Sequence, residues 1–134
     1  AYVQQLSGGQ RQRVWIAMAL AQKTEILLLD EPTTYLDIAH QLEILELLKK
    51  LNAKEHTTIV LVIHELNQAA KFADNIFGLK QGRLLCSGSA REVICEEQLL
   101  QLYDIHAEIV HKDVYGYPIC MDYTLRRNSE LQDL

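Results

Sequence analysis

Two rhythms of apolar and polar residues alternate along the chain. The continuous apolar runs EILLLD (25–30) and TTIVLVI (57–63) flank a stretch in which Ile38, Leu42, Leu45, Leu48 and Leu51 recur at three- and four-residue spacing. A short continuous apolar run predicts a strand buried on both faces, and three-four spacing predicts an amphipathic helix. Asp37 stands where it can cap that helix. Together they predict a βαβ unit with parallel strands, because a parallel pair needs a crossover of about this length.

The flanking segments extend the pattern. Gln10 to Gln22 lacks Pro and Gly and is rich in good helix formers, with Ser7 as a natural N-cap. After His64, ELNQAAKFAD reads as a short helix, and NIFGLKQGRLLCSG as two strands around a Gln81-Gly82 turn, a hairpin at the edge of the sheet. Ser89 can cap a helix from Ala90, and Glu96 to Tyr103 is a further short helix. AEIVHKDVYGYPICMDY has the form of a last hairpin turning near Gly116. The polar ending from Arg126 has little to bury and is expected to fray. With no internal repeat, linker or low-complexity tract, the chain reads as one piece.

Composition narrows the function classes. A length of 134 residues, 49% hydrophobic and 23% charged, suits one globular domain with a real core. The formal net charge of −5, without a basic stripe, gives no footprint for nucleic acid, so no nucleic-acid partner is expected. Cys86, Cys95 and Cys120 are odd in number and lack a CxxC arrangement, which argues against a disulfide framework or a zinc site and for buried or idle thiols. The apolar runs are too short to span a membrane and no signal peptide precedes them, so a cytoplasmic location is expected.

Three stretches carry candidate chemistry. In LSGGQ (6–10), two glycines let the backbone approach a ligand, and the start of the following helix offers N–H groups and the positive end of its dipole, an arrangement suited to a terminal phosphate. The same Ser-Gly-Gly also fits an ordinary capped loop. Asp30 and Glu31 stand at the C-terminal mouth of a buried strand, where ligands of open α/β sheets collect. One carboxylate there can hold a hydrated Mg²⁺ while the other orients or deprotonates a water, although a solvated acidic turn has the same sequence. His64 closes the second strand and would face the same mouth if the strands are parallel neighbours; its imidazole could bond a transferring phosphoryl group or serve as a structural hydrogen-bonder. His40, His56, His106 and His111 show no metal spacing and read as structural.

LSGGQ, ILLLDEP, TTYLD and VIH, in this order and spacing, resemble the C-terminal half of an ABC-type nucleotide-binding subunit over about Tyr2 to Asp122. The resemblance implies an α/β fold: a partial P-loop NTPase (ABC ATPase) fold, a parallel sheet with flanking helices and C-terminal β-hairpins, lacking the phosphate-loop half. It implies one incomplete nucleotide-binding domain over 1–134, with 1–22 ending the helical subdomain, 23–89 the core from Walker B to the switch histidine, and 90–134 a C-terminal extension. Leu6 to Gln10 would be the signature motif, with Ser7, Gly8, Gly9 and Gln10 on the nucleotide. Ile26 to Asp30 would be the Walker B strand with Asp30 on Mg²⁺, and Glu31 the catalytic carboxylate. Tyr35 to Asp37 would form the D-loop, with Asp37 near nucleotide and His64 as the switch histidine. ATP and Mg²⁺ are the implied cofactors. The implied partners are a second nucleotide-binding subunit, whose ATP the signature grips, and membrane permease subunits at the inner face of the cell membrane.

QRQRVWIAMALAQ, EPTTYLDIAHQLEIL, ELNQAAKFAD, LKQGRLLCSGSAREVI and VYGYPICM are similar to ATPases of importers for iron-siderophore complexes, haem or cobalamin. Glu65 stands where those subunits usually have Asp. The larger departure is that no G-x-x-x-x-G-K-[ST] occurs in these 134 residues. Without a phosphate loop to hold ATP against Asp30, Glu31 and His64, negligible hydrolysis by this polypeptide alone is expected. If the sheet follows the order common to ABC and RecA-like proteins, as the resemblance implies, the strand at 57–63 would also present an exposed apolar edge. Two other readings stand beside the importer ATPase: a naturally short non-catalytic protein that binds and regulates a full subunit, and a soluble ABC ATPase outside transport. The acidic balance and the lack of a coiled-coil heptad run weigh against the latter.

Overall fold

The structure, a computed structural model, describes residues 8–21 and 23–126. The chain divides into two compact units, Ala1–His64 and Glu65–Leu134, so the boundary falls within the 23–89 segment.

In the first unit, helix α1 (Gly8–Ala21) precedes strand β1 (Ile26–Asp30), helix α2 (Ile38–Glu55) and strand β2 (Thr58–Val62). The helix expected from Gln10 begins two residues earlier; its proposed cap, Ser7, lies outside the described residues. β1 and β2 pair in parallel, Ile26 opposite Thr58 through Asp30 opposite Val62, as the βαβ reading requires. Asp37 caps α2 by accepting from the His40 N–H at 2.8 Å. At the other end His56 turns left-handed (φ 56°), and Asn52 Nδ2 donates to the Thr57 carbonyl at 2.8 Å, steering the chain into β2.

Burial along these strands corrects one expectation. Neither strand is covered on both faces: Leu27, Leu29, Ile59 and Leu61 turn toward a core with Ile16, Ile44, Leu48 and Leu51, while Ile26, Leu28, Val60 and Val62 are exposed. The alternation is what period-two geometry produces when one layer of helices is present. Leu28, 72% exposed, marks where a second layer would sit. α2 also turns slightly from the sequence reading. Ile44, Leu45, Leu48 and Leu51 are its buried stripe, whereas Ile38 in its first turn is exposed.

The second unit contains α3 (Leu66–Phe72), the β3 (Ile76–Lys80) and β4 (Arg83–Gly88) hairpin, α4 (Ala90–Val93), α5 (Glu96–Tyr103), and the β5 (Ile105–His111) and β6 (Pro118–Leu125) hairpin. Gln81 and Gly82 both have positive φ, 50° and 75°, the geometry of the tight hairpin turn read from the sequence. Ser89 caps α4 in a reciprocal capping box with Glu92. The sequence places the β3–β4 hairpin at the edge of the sheet, but these two strands pair only with each other among the described residues. Among the described residues, each of the three strand pairs forms its own two-stranded sheet.

The core of this unit gathers Ala70, Val93, Ile94, Leu99, Leu102, Ile105, Ala107 and Cys120. Cys86, Cys95 and Cys120 are free thiols, and burial raises the pKa of Cys86 and Cys120. Lys80 Nζ donates to the Gln101 carbonyl at 2.7 Å and to Asp104 Oδ2 at 3.2 Å, neutralising the C-terminal end of α5. The Arg126 N–H donates to the Asp104 carbonyl at 2.8 Å; the rest of the polar ending expected to fray lies outside the described residues. No helix of the described residues is long and apolar enough to cross a membrane.

Candidate functional site

The site is built where β1 stops. Asp30 is the last strand residue, and Glu31 leaves the sheet in a left-handed conformation (φ 48°) that an L side chain adopts only when its surroundings hold it there. Pro32 follows, buried, and cannot continue the ladder. Two consecutive turns then close, the Thr34 N–H donating to the Glu31 carbonyl at 3.2 Å and the Leu36 N–H to the Thr33 carbonyl at 3.3 Å. Gln41 Nε2 donates to the Leu36 carbonyl at 2.8 Å, which ties the end of this loop to α2.

This turn brings Glu31 and His64 together. Glu31 Oε1 meets His64 Nε2, although the residues lie at the ends of different strands. Thr34 Oγ1 donates to the other oxygen, Oε2, at 3.4 Å. With Glu31 ionised, a close contact needs a proton between oxygen and nitrogen, so Nε2 is then the protonated ring nitrogen. The contact thus holds a carboxylate and an imidazole N–H at the mouth of two parallel strands. The His64 side chain is 71% exposed, so both groups stay open to a ligand.

Asp30 is exposed beside them, and among the described residues its carboxylate makes no hydrogen bond or ion pair. A bare carboxylate is the kind of hard oxygen donor that Mg²⁺ takes, usually one or two at a time with phosphate oxygens and water completing the shell. Among the described residues no cluster of three or more His, Cys, Asp or Glu side chains could hold a metal ion. Asp30 therefore fits as one ligand of a shared shell and not as part of an all-protein site.

Asp37 does not join this pair. Its Oδ1 accepts from the His40 backbone N–H and contacts His40 Nδ1 at 2.7 Å, and these two bonds, the backbone one foremost, lower its pKa. Of the signature residues, Gly8 and Gly9 open α1 and Gln10 is exposed, whereas Ser7 lies outside the described residues. α1 is seated on α2 by Ile16, 1% exposed in the core, and by an ion pair between Arg13 and Glu43.

Two residues of consequence escaped sequence reading. Thr34 carried a usable signal, a hydroxyl three residues after the acid in a turn. Asn67, whose amide bonds the backbone of Cys120, carried none, because its partner lies 53 residues away.

Comparison with known proteins bears on the family and the fold. The family model described as ABC transporter matches residues 1–34. The iron(3+)-hydroxamate import ATP-binding protein FhuC of Bacillus subtilis (strain 168) is 55% identical over 128 residues, covering 96% of this chain and 48% of that protein. The ferric enterobactin transport ATP-binding protein FepC of Escherichia coli (strain K12) is 46% identical, covering 87% of this chain and 43% of its own length. A structure described as an inward-facing conformation of a metal-chelate type ABC transporter superposes with a TM-score of 0.77 at 30% identity, over 89% of this chain and 48% of that one. An ATP-binding cassette solved as a dimer in a post-hydrolysis state with ADP and Pi matches 64% of this chain and 37% of its own, with a TM-score of 0.57 at 45% identity. The chain spans about half the length of the curated relatives it matches. Over that shared half, in sequence and in fold, it belongs to the family of ABC transporter ATP-binding subunits.

Proposed function

We propose that the chain is the carboxylate-and-histidine half of the ATP-hydrolysing subunit of an ABC importer for iron-siderophore or related metal-chelate complexes. The Glu31–His64 contact at the mouth of β1 and β2 carries the reading. The relatives named for iron(3+)-hydroxamate and ferric enterobactin transport support the substrate class.

In this reading the two groups satisfy one another until nucleotide arrives. The His64 Nε2–H can then turn from Glu31 to an oxygen of the transferring phosphoryl group, which frees Glu31 Oε1 to orient and deprotonate the attacking water. Asp30 would be the ligand for Mg²⁺, which would supply neutralising charge to the phosphates. Gly8, Gly9 and Gln10 at the start of α1, with Ser7 before them in sequence, grip ATP held by a second nucleotide-binding subunit, with Asp37 nearby at that interface. The 1–134 segment is then an incomplete part of a nucleotide-binding domain that acts at the inner face of the cell membrane beneath permease subunits, and ATP has to be held against Asp30, Glu31 and His64 by a phosphate loop outside these residues.

The test is uptake of radiolabelled ferric hydroxamate and ferric enterobactin by cells whose copy of this gene is deleted, then restored. Loss of uptake on deletion and its recovery with the wild-type gene, but not with His64→Ala, is expected. Unchanged uptake of both complexes after deletion overturns the substrate class. Full recovery with His64→Ala overturns the site.

A further inference from the structure

Glu31 is held twice by one residue. Its backbone carbonyl accepts from the Thr34 N–H at 3.2 Å, and its carboxylate Oε2 accepts from Thr34 Oγ1 at 3.4 Å. Glu31 to Thr34 thus form a β-turn with Pro32 in second place, where its fixed φ suits a reversal of the chain. Pro32 and Thr33 are buried, so packing fixes the middle of the turn while the bond across it fixes the separation of its ends. Threonine adds a stiff side chain to this frame. Branching at Cβ restricts χ1, so once the backbone of Thr34 is placed its hydroxyl has few positions open to it.

The two carboxylate oxygens of Glu31 have partners of different kinds. Oε1 meets His64, which arrives at the end of another strand, whereas Oε2 meets a hydroxyl three residues away in the same turn. When His64 turns to a phosphoryl group, the first contact is given up and the second is not. The Glu31 side chain is 39% exposed, so with neither partner it would be free to swing into solvent.

We infer that Thr34 is a positioning residue for Glu31: its hydroxyl keeps Oε2 in place after His64 leaves Oε1, so that the freed oxygen stays aimed at the attacking water. This rests on the proposed role of Glu31 as base. At 3.4 Å the hydroxyl bond is long, as hydrogen bonds of a reacting group often are before substrate binds, and it tightens in the complex. Its contribution is to orientation, which turnover reads more sensitively than folding does.

The experiment uses the gene's full polypeptide assembled with its transport partners. It measures kcat, KM for MgATP and thermal unfolding for Thr34→Val, Thr34→Ser, Glu31→Gln and the double variant Glu31→Gln with Thr34→Val. Valine keeps the shape and the Cβ branch but removes the hydroxyl; serine keeps the hydroxyl. Thr34→Val is expected to lower kcat roughly five- to tenfold, the effect of one hydrogen bond, with KM unchanged. Its unfolding temperature should stay within about 2 °C of wild type, because the side chain is exposed. Thr34→Ser should recover most of the lost kcat. In the Glu31→Gln background Thr34→Val should change the residual rate little, because the group it positions is no longer a base. An unchanged kcat in Thr34→Val, an equal loss in Thr34→Ser, or the same fold-loss repeated in the Glu31→Gln background overturns the inference. If Glu31→Gln alone retains turnover, the proposed role of Glu31 has failed, and the inference falls with it.

Discussion

Glu31→Gln separates the chemistry of the site from its architecture. Each oxygen of Glu31 has one partner, His64 Nε2 on Oε1 and the Thr34 hydroxyl on Oε2. In the amide, the remaining oxygen can still accept from Nε2–H, and the new NH₂ can donate to the Thr34 hydroxyl, which accepts as readily as it donates. The left-handed backbone at φ 48° is no harder for Gln than for Glu. Stability should therefore stay within about 0.5 kcal/mol of wild type. On the proposed role, what is lost is a base able to take a proton from water, a contribution of roughly 10²–10⁴ in rate, or about 3–5 kcal/mol of barrier. Steady-state MgATP hydrolysis by the assembled subunit, beside its thermal unfolding curve, measures both. Turnover within threefold of wild type refutes the role of Glu31 as base. A large fall in unfolding temperature refutes the claim that the amide fits the same contacts.

Three other expectations follow from the structure. At Gly78 a Cβ would lie 2.7 Å from Cys86 Sγ and 2.9 Å from both terminal carbons of Leu102, so Gly78→Ala should cost about 1–3 kcal/mol in urea unfolding, recovered only in part by adding Cys86→Ala. Because hydrogen bonds lower the pKa of Asp37 below its ordinary 3.8, its stabilising effect is complete above that value and is lost as pH falls through the lowered one. Asp37→Asn keeps a capping oxygen and should flatten the acid limb of the stability profile below about pH 4, read by circular dichroism against wild type. Cys120, buried and with a raised pKa, should be alkylated more slowly than half-exposed Cys95 in the native protein; equal rates by mass spectrometry would contradict its place in the core.

Sequence reading succeeded where local chemistry decides. Asp37 and Ser89 act as caps, Gln81-Gly82 forms the turn, and Glu31 and His64 meet because both follow the last residues of parallel neighbours. It failed where the answer lies in what a segment packs against. Ile26, Leu28, Val60 and Val62 are written for a buried strand yet lie exposed, since a run of apolar residues records the environment it requires and not the one it has. Ile38 and Ile44 are equally apolar, and only the docking of α2 on Leu27 and Ile16 decides that Ile44 is the buried one. The Asn67 bond to Cys120 is invisible to any pattern of short range.

The left-handed turn at Glu31 also sets the terms on which this position can change over generations. At φ 48° the backbone favours Gly, Asn and Asp, while the contact with His64 is made by a carboxylate with the reach of Glu. Asp alone satisfies both preferences in kind, but it is one methylene shorter than the residue in place. Each conformationally comfortable exchange therefore loses either the carboxylate or its reach. On the proposed role of Glu31 as base, a lineage released from ATP hydrolysis should drift here first toward Gly or Asn.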